Sequence, residues 1–571
     1  MRDKIFNTII NSLFSLLAVG LFYNQVIRAP LFMQLSQNNR IRVIQLSAPR
    51  GKILDRNGKV VAGNRVRLDC VIMPQEFIDK ENGFSRLSSI LGMPEDVLKK
   101  RFNRRLLNPF TPVVLAPDIS KENAITIEEE RFNMPGVFIN ANPIRDYVYK
   151  DAAAQLVGYI GEIGQKELDK LDRYGYRVND LVGRSGIEEE YDNYLRGEDG
   201  GMQIEVDSKG KQNRVLGLKE PKEGRDVYLT VDIELQKYIS ELFGEGRGAC
   251  VVMNPANGEI LSLVSKPSFD PNVFVVPDNF KIKEILSGKS HPMLDRAISC
   301  AYPPGSIFKI AVATAALEER KLSTDREFIC NGKFHLGNQV FDCWKENGHG
   351  PQNVINALKN SCNVFFYNTG MLLGPDLIAK YSQKFGFGRP TGIDLPQETS
   401  GLVPNKLWKR IKMGETWYNG ETANYGIGQG YLLTTPIQVL GMTAAVANGG
   451  FLVRPHIVKR IASVDISAGS IRKLGISDNS LDVVTTSLRK VVEDDNGTGV
   501  KARVKGLSIA GKTGTAQTGR GTTHAWFVGF SPVDKPKVAL VVLLEEGGKG
   551  GLNAAIMGGK IFKKAQELGL L

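Results

Sequence analysis

The sequence predicts an α+β protein with an N-terminal transmembrane helix, an elongated mixed α/β pedestal domain beside the membrane, and a C-terminal domain with a central antiparallel sheet flanked by helices. Three observations predict this architecture: an uncharged N-terminal segment, a change of composition at residues 218–226, and strands and helices that are grouped after that change. Grouping, as opposed to strict alternation, favours an antiparallel sheet covered by helices.

The first element is residues 5–27, which contain no charged side chain and follow Arg2 and Lys4. A helix of that length spans about 34 Å, enough for a bilayer core of about 30 Å. Positive charge stays on the cytoplasmic side, so we expect residues 1–4 to be a cytoplasmic tail and the rest to lie outside a bacterial inner (cytoplasmic) membrane. A cleaved signal peptide is the alternative, but its apolar region would be shorter. No second apolar run of this length occurs, so we expect a single crossing.

The membrane-proximal domain is predicted to cover residues 28–222. The turn sequence Asp55-Arg56-Asn57-Gly58 between two apolar runs predicts a β-hairpin, and residues 77–135 have helical patterns with charged faces. The segment "LKEPKEGRD", residues 218–226, combines charge, proline and glycine without an apolar run, which is typical of a linker.

The C-terminal domain is predicted to cover residues 223–571. Turn chemistry at Asn254-Pro255 and Asn257-Gly258 predicts a hairpin, and residues 306–320 and 353–372 have helical patterns. Two strands, "HAWFVGFSP" and "KVALVVLLEE", and one helix, "AAIMGGKIFKKAQEL", close the chain.

Composition excludes some classes of function. The chain is 42% hydrophobic and 23% charged, which is typical of a globular protein. The net charge of +12 is spread along the chain, so we interpret it as a soluble positive surface, with affinity for anionic lipid or polymer as the alternative. Aromatic–basic motifs and zinc-finger spacings are missing, and we expect no nucleic-acid partner.

The stretch "AYPPGSIFKI" places Ser306 and Lys309 at the start of a predicted helix. Residues three apart share a helix face, so the lysine lies about one turn from the serine hydroxyl. A serine is a weak nucleophile until a base takes its proton, and a lysine of lowered pKa can be that base. The pair alone is close to a chance occurrence.

Two later motifs make the pair significant. Ser361 and Asn363 form S-x-N, and Lys512, Thr513, Gly514 and Thr515 form K-T-G-T. S-x-x-K, S-x-N and K-T-G in this order are the signature of penicillin-binding proteins and related β-lactamases. We assign proton relay to Ser361, and contacts with substrate amide and catalytic lysine to Asn363.

The third motif is assigned to substrate binding. Lys512 is expected to supply a fixed positive charge that keeps Lys309 deprotonated and attracts a carboxylate. Thr513 and Thr515 offer hydroxyls to that carboxylate, and Gly514 lets the substrate lie edge to edge against the strand. The backbone N–H groups of Ser306 and Thr515 are the expected oxyanion hole.

The chain resembles the class B penicillin-binding proteins, which are monofunctional D,D-transpeptidases of the bacterial cell wall. "RGKILDRNGKVVAGN", "GRSGIEEEYDNYLRG" and "GRDVYLTVDIELQ" match family boxes outside the catalytic triple. "PMLDRAISCAYPPGSIFK" and "CWKENGHGPQNVINALKNSCNVFFY" are most similar to the elongation-type branch, penicillin-binding protein 2.

The resemblance implies a serine acyl-enzyme that cross-links peptidoglycan stem peptides with release of D-Ala, needs no cofactor for catalysis, and is inhibited by β-lactams. It also implies a polytopic glycosyltransferase of the elongation machinery and associated shape proteins as partners. Minor D,D-carboxypeptidase activity, a division- or sporulation-type role, and a structural activator of a glycosyltransferase are the alternatives.

Three of the six cysteines form a cluster with one histidine. Cys330, Cys343, His349 and Cys362 have the spacing C-x12-C-x5-H-x12-C, and such ligands suit tetrahedral Zn²⁺. Some proteins that resemble penicillin-binding protein 2 hold zinc in this segment with mixed Asp, His and Cys ligands, and Asp342 is a substitute ligand. A Cys330–Cys343 disulfide and free thiols are the alternatives. Cys70, Cys250 and Cys300 are expected to be buried core thiols.

Overall fold

The computed structural model describes residues 2–33, 41–106, 108–109, 111–164, 167–168, 176, 180–206, 212–466, 469–519 and 521–571. The chain forms two compact units. The N-terminal unit comprises residues 1–50, 64–144 and 196–224, and the C-terminal unit comprises residues 51–63, 145–195 and 225–571. The predicted domain limits, 28–222 and 223–571, stay a prediction.

The N-terminal segment is helical, as the sequence predicts. An α-helix covers Arg2–Phe22 and a π-helical turn follows at Tyr23–Ile27. Within it, Lys4–Ile27 is long and apolar enough to cross a membrane. Two of its polar side chains, Thr8 and Asn24, donate to backbone carbonyls four residues earlier, which satisfies these donors within the helix.

The described residues of the rest of the N-terminal unit form three long helices, the 3₁₀ turn Arg131–Asn133 and two groups of strands. The helices are Lys80–Leu91, Glu95–Arg105 and Lys121–Glu129. Strand Val60–Ile72 begins in the other unit and continues here, beside Val113–Ala116 and Val137–Tyr147, and a three-stranded sheet contains Ile41–Leu46, Gly200–Val206 and Gln212–Lys219. Ser120 caps the third helix, because its hydroxyl accepts a hydrogen bond from the N–H of Asn123.

One strand of this unit contradicts the sequence prediction. Residues 77–135 were expected to be helical, but Val113–Ala116 is a strand that pairs with the end of Val60–Ile72. Val113 and Leu115 are buried in a core with Phe84 and Phe102. The segment is too short for a period of 3.6 to be distinguished from a period of 2, and its β-branched residues favour a strand.

The centre of the C-terminal unit is a five-stranded antiparallel sheet, which confirms the predicted fold class. Its strands, in spatial order, are Ile260–Lys266, Gly248–Met253, Val538–Leu544, Thr523–Ser531 and Ala510–Gln517. The hairpin predicted at residues 254–258 joins the first two strands of the sheet. The two predicted C-terminal strands are the third and fourth strands of the sheet.

Both faces of this sheet are buried. Val251 and Val541 point into one core with helix Pro436–Ala447, whereas their neighbours Val252 and Val542 point into another core with helices Ile233–Phe243 and Asn553–Glu567. Side chains alternate between the faces of a strand, so two helical layers require apolar residues at successive positions. The predicted C-terminal helix is the second of these covering helices.

Further elements surround this core. Among the described residues, the remaining α-helices of the unit are Ala154–Val157, Gly186–Glu190, Asp192–Leu195, Asn272–Val275, Asn279–Ser287, Lys309–Glu318, Val354–Lys359, Asn363–Lys384, Lys406–Met413, Asn419–Gly426 and Asp478–Glu493, and the 3₁₀ helices include Lys150–Ala153 and Val500–Ala502. The remaining strands are Ile53–Leu54, Ile160–Glu162, Leu181–Gly183, Val227–Leu229, Phe328–Cys330, Lys333–Leu336, Gln339–Asp342, Gly350–Gln352, Phe451–Val453, Val458–Ile461, Val464–Asp465 and Ile471–Lys473. Ile53–Leu54 pairs with the start of Val60–Ile72, which confirms the hairpin predicted at residues 55–58.

Candidate active site

Ser306 lies on a short 3₁₀ segment, Gly305–Ile307, directly before helix Lys309–Glu318. The serine is therefore one turn earlier than the α-helical position expected from the sequence. Gly305 has φ +54°, and a Cβ there would lie 2.8 Å from the carbonyl oxygen of Thr515. Only glycine combines this backbone conformation with so close an approach, so Gly305 seats the serine against strand Ala510–Gln517.

Lys309 is fully buried and is held by the second motif. Its Nζ donates to Asn363 Oδ1 at 2.7 Å and to the Ser361 carbonyl at 2.9 Å, and it lies 3.4 Å from Ser361 Oγ. Burial lowers the pKa of Lys309 to about 8. In about a tenth of the molecules, the Lys309 side chain is therefore a neutral amine at pH 7. The neutral amine is the form that can accept a proton.

Ser361 lies between helices Val354–Lys359 and Asn363–Lys384 with φ +53°. A left-handed conformation is costly for a residue with a Cβ and is found where surrounding contacts impose it. Cys362 begins the second helix, since its Sγ accepts the N–H of Phe365 at 3.5 Å. The strained serine therefore marks a tight break between two helices that the sequence analysis had merged.

The third motif lies on Ala510–Gln517, the edge strand of the sheet. Alternation along the strand places Lys512 and Gly514 on one face and Thr513 and Thr515 on the other. A Cβ at Gly514 would lie 2.9 Å from Ile307 Cγ1 and 3.2 Å from the carbonyl of Pro304. Gly514 thus allows the serine segment to pack on the strand, a reason additional to the substrate approach expected from the sequence.

Lys512 is fully buried and donates to the carbonyl of Thr513 at 2.9 Å. Burial, together with the charge of Lys309, holds the pKa of Lys512 well below its usual value. This differs from the fixed positive charge expected from the sequence. Two buried ammonium groups repel each other, so the charge of Lys309 adds to the effect of burial and disfavours the charged form of Lys512.

The structure joins Lys309, Ser361 and Asn363 by hydrogen bonds, and the charge of Lys309 contributes to the lowered pKa of Lys512. Within the part of the chain that the structure describes, Ser306 Oγ makes no hydrogen bond. Catalytic hydrogen bonds are often long in a free enzyme and tighten when substrate binds.

The cysteine–histidine cluster lies beside this site. Cys330, Cys343, His349 and Cys362 place one Sγ or ring nitrogen each within 4.8 Å of one another. His349 Nδ1 lies 3.6 Å from both Cys330 Sγ and Cys343 Sγ. Asp342, the suggested substitute ligand, is exposed and is not part of this group.

The cluster contains free thiols, and Cys330 and Cys343 are not bridged. Hydrogen bonds from Cys362 and from His349 hold the pKa of Cys343 far below its usual value. The hydrogen bond between Cys343 and Cys362 also raises the pKa of Cys362. The other three cysteines are also unbridged: Cys70 and Cys250 are buried as expected, but Cys300 is only half-buried.

Comparison with known proteins decides the family. The model of the penicillin-binding protein transpeptidase domain matches residues 248–565, and that of the penicillin-binding protein dimerisation domain matches residues 45–229. The chain belongs to the penicillin-binding proteins.

Similar curated proteins confirm the resemblance to class B members and to penicillin-binding protein 2. The peptidoglycan D,D-transpeptidase MrdA of Haemophilus influenzae is 31% identical, over 96% of this chain and 88% of the relative. MrdA of Acinetobacter baumannii is 34% identical, over 94% and 83%. Stage V sporulation protein D of Bacillus subtilis is 30% identical, over 98% and 84%.

Solved structures agree with this assignment. Penicillin-binding protein 2 of Helicobacter pylori in complex with MreC has a TM-score of 0.81 and 28% identity, over 93% of this chain and 99% of that one. A chain from a study of how a peptidoglycan synthase complex coordinates polymerization and crosslinking has a TM-score of 0.77 and 31% identity, over 98% and 97%.

Sequence reasoning missed two groups of residues that support the site of this penicillin-binding protein. Tyr302 donates to Glu545 Oε1 at 2.7 Å, and Arg296 Nε donates to the same oxygen at 3.0 Å, which ties the segment before Ser306 to the end of a core strand. Trp344 Nε1 donates to the carbonyls of Asn360 and Ser361. Two features of the sequence could have indicated these residues: Tyr302 lies in "AYPPGS", close to Ser306, and Trp344 directly follows Cys343.

Proposed function

We propose that Ser306 is the nucleophile of this peptidoglycan D,D-transpeptidase and that the enzyme acts in cell elongation and shape maintenance. The observation that supports this most strongly is the buried Lys309 amine, hydrogen-bonded to both polar side chains of the S-x-N motif. A base of lowered pKa, one helical turn from a serine and beside a possible proton relay, fits acyl transfer.

In the acylation step, the neutral Lys309 amine takes the proton from Ser306 Oγ. The oxygen forms a bond to the carbonyl carbon of the penultimate D-Ala of a donor stem peptide. The C–N bond to the terminal D-Ala then breaks, and Ser361 passes a proton from Lys309 to the leaving nitrogen. The neutral amine of a second stem peptide then attacks the ester carbon and forms the new C–N bond, and the proton that it loses passes through Ser361 to Lys309. The C–O bond to Ser306 breaks, and Lys309 returns the proton to Ser306 Oγ, which restores the serine and leaves the cross-link.

Substrate binding follows from the edge strand. A stem peptide can add to Ala510–Gln517 by main-chain hydrogen bonds, with the N–H groups of Ser306 and Thr515 as the proposed oxyanion hole. The terminal carboxylate would lie near Lys512, Thr513 and Thr515. A bound anion raises the pKa of a neighbouring lysine, so substrate would charge Lys512 and leave Lys309 neutral.

Labelling with a fluorescent penicillin tests the nucleophile. Wild-type protein should be labelled and Ser306→Ala should not, because the acyl-enzyme needs the hydroxyl. Labelling that persists in Ser306→Ala would show that another residue is acylated.

Complementation separates the enzymatic role from its alternatives. In cells depleted of the native protein, wild type should restore growth and shape, and Ser306→Ala should not. Full rescue by Ser306→Ala would favour a structural activator of a glycosyltransferase. Because a sporulation protein is 30% identical to this chain, rescue of spore formation without rescue of shape would favour the sporulation-type role.

We also propose the partners and the location. The family resemblance and the H. pylori complex with MreC support association with shape proteins and with a polytopic glycosyltransferase. Segment Lys4–Ile27 is proposed as the single anchor in the bacterial inner membrane, with the catalytic unit outside the cytoplasm. β-Lactams, which imitate D-Ala–D-Ala, are the proposed inhibitors.

A structural zinc ion is proposed for the cysteine–histidine cluster, with no role in the chemical steps. Zinc–ligand bonds of about 2.3 Å to sulfur and about 2.1 Å to nitrogen imply ligand separations of about 3.6 Å on a tetrahedron. The two separations of 3.6 Å from His349 Nδ1 fit this requirement. The lowered pKa of Cys343 also suits a thiolate ligand. When bound, the ion would stabilise the segment that leads into Ser361.

A further inference from the structure

Trp344 is the one tryptophan whose indole N–H contacts the catalytic motifs in the described part of the chain. Its Nε1 donates to the carbonyl of Asn360 at 3.1 Å and to the carbonyl of Ser361 at 3.2 Å. The Ser361 carbonyl also accepts the hydrogen bond from Lys309 Nζ at 2.9 Å. One carbonyl thus joins the indole to the lysine.

The backbone conformation of Ser361 explains why two carbonyls converge on one donor. Asn360 ends helix Val354–Lys359, and the φ of +53° at Ser361 turns the next carbonyl toward the same side. The backbone closes this turn itself, because the N–H of Ser361 donates to the carbonyl of Leu358 at 3.2 Å and the N–H of Cys362 donates to the carbonyl of Ala357 at 2.9 Å. The turn leaves the carbonyls of Asn360 and Ser361 for side-chain donors. By bonding both carbonyls, the indole N–H adds to the stability of the conformation in which Ser361 contacts Lys309.

The segment that carries Trp344 is itself fixed. The N–H of Cys343 donates to the carbonyl of Gly332 at 2.8 Å, and the carbonyl of Asp342 accepts from Tyr367 Oη at 3.3 Å. The Trp344 ring also packs edge-on against His349, with the ring centroids 5.1 Å apart. The donor is thus held by groups that do not depend on substrate.

Burial distinguishes this role from ordinary packing. The Trp344 side chain is 58% exposed, so its ring contributes little to the core, whereas its N–H points inward to the motif. A structural tryptophan usually shows the reverse arrangement, with the ring buried.

We propose that Trp344 is a positioning residue for the transpeptidase reaction: its indole N–H holds the Asn360–Ser361 backbone so that Ser361 and Lys309 are aligned for proton transfer. This inference rests on the proposed roles of Ser306, Lys309 and Ser361. It predicts that the N–H group, and not the bulk of the ring, is required for fast acylation.

The test measures acylation of the full-length protein by a chromogenic β-lactam in stopped flow, which separates the encounter constant from the acylation rate constant. Trp344→Phe should lower the rate constant on the order of 10- to 100-fold, the cost of a misaligned catalytic group. The encounter constant should change less than threefold. Trp344→His should recover most of the rate, because its Nε2 occupies the ring position of the indole nitrogen.

Replacing Trp344 by 3-benzothienylalanine, which keeps the ring size but has sulfur in place of N–H, should be as slow as Trp344→Phe. This variant also keeps the test informative if Trp344→Phe folds poorly. Trp417→Phe is the matched control, since its indole donates to Thr422 Oγ1 at 2.8 Å and not to the motif. Its acylation should stay within twofold of wild type.

Three results would overturn the inference: a Trp344→Phe rate constant within twofold of wild type, wild-type rates with benzothienylalanine, or a loss confined to the encounter constant. If wild-type protein is not acylated at Ser306, the proposed nucleophile fails instead, and the two failures are thus distinguishable. The zinc content of each variant should match that of wild type. Equal zinc content excludes an altered metal site as the cause of slow acylation.

Discussion

Lys309 Nζ and Asn363 Oδ1 lie 2.7 Å apart, with the ammonium donating to the amide oxygen in a fully buried site. The amide is neutral, so it orients the lysine without the charge that would stabilise its protonated form strongly. Burial therefore dominates, and the pKa of Lys309 falls to about 8. A general base is most effective when its pKa lies near the working pH.

Acylation should depend on pH through Lys309. Burial lowers the pKa from 10.5, and the reactive form is the neutral amine. The acylation rate constant should therefore rise about tenfold per pH unit below pH 8 and level off above it. Lys309→Arg should be inactive over this range, because a guanidinium stays protonated. A flat profile from pH 6 to 9 in wild type would contradict the assignment of Lys309 as the base.

Asn363→Asp should move this profile to higher pH. A carboxylate at the position of the amide favours the charged ammonium, so the pKa of Lys309 rises and less neutral amine is present at pH 7. A rise of one unit lowers acylation at pH 7 about tenfold. Asn360→Asp is the matched control, since Asn360 donates to Gln352 Oε1 and its side chain does not contact Lys309. Equal profiles for the two variants would argue against the Asn363 contact.

Gly305→Ala should abolish acylation and lower the melting temperature. The new methyl group would meet the carbonyl of Thr515 at 2.8 Å, in addition to a backbone cost of about 1–2 kcal/mol. Gly506→Ala isolates the backbone cost, because Gly506 also has a positive φ, +84°, and its Cβ would meet no atom within 4 Å. Acylation by Gly506→Ala should match wild type. If the two variants have equal acylation rates and equal melting temperatures, the close approach of Gly305 to the edge strand is not required for acylation.

Cys330→Ser should reduce the bound zinc from about one ion per chain and lower the melting temperature. A hydroxyl is a much poorer zinc ligand than a thiolate, and structural zinc sites contribute directly to folding energy. Cys300→Ser changes a half-buried thiol outside the cluster and should retain the metal. Elemental analysis and thermal melts in the presence of a chelator check this. A wild-type protein without zinc, together with a Cys330–Cys343 bridge in peptide mapping, would refute it.

Much of the fold follows from local sequence patterns. The hairpins at residues 55–58 and 254–258, the two C-terminal strands and the final helix each have turn chemistry or an apolar run that needs no distant partner. Strand Val113–Ala116 was missed because four residues are too few to establish a period, and its pairing partner is more than 40 residues away in the chain.

The candidate site residues follow from the motifs of the sequence, whereas the geometry of the candidate site does not. The spacing of the motifs indicates Ser306, Lys309, Ser361, Asn363 and Lys512. The hydrogen bonds that Lys309 and Trp344 donate to the carbonyl of Ser361 come from residues 52 and 17 positions away, and no local pattern encodes them. The lowered pKa of Lys512 likewise depends on burial and on a second lysine 203 positions earlier in the sequence.

The edge strand Ala510–Gln517 has a consequence for drug resistance. In the proposed mode of binding, recognition there uses main-chain N–H and C=O groups, and every residue except proline provides both. A substitution on this strand can alter a side chain, but it cannot remove those groups from an inhibitor and keep them for the substrate. Selection under antibiotic pressure should therefore favour changes around the strand, at the segments that seat Ser306 and Ser361, rather than changes of the pairing edge itself.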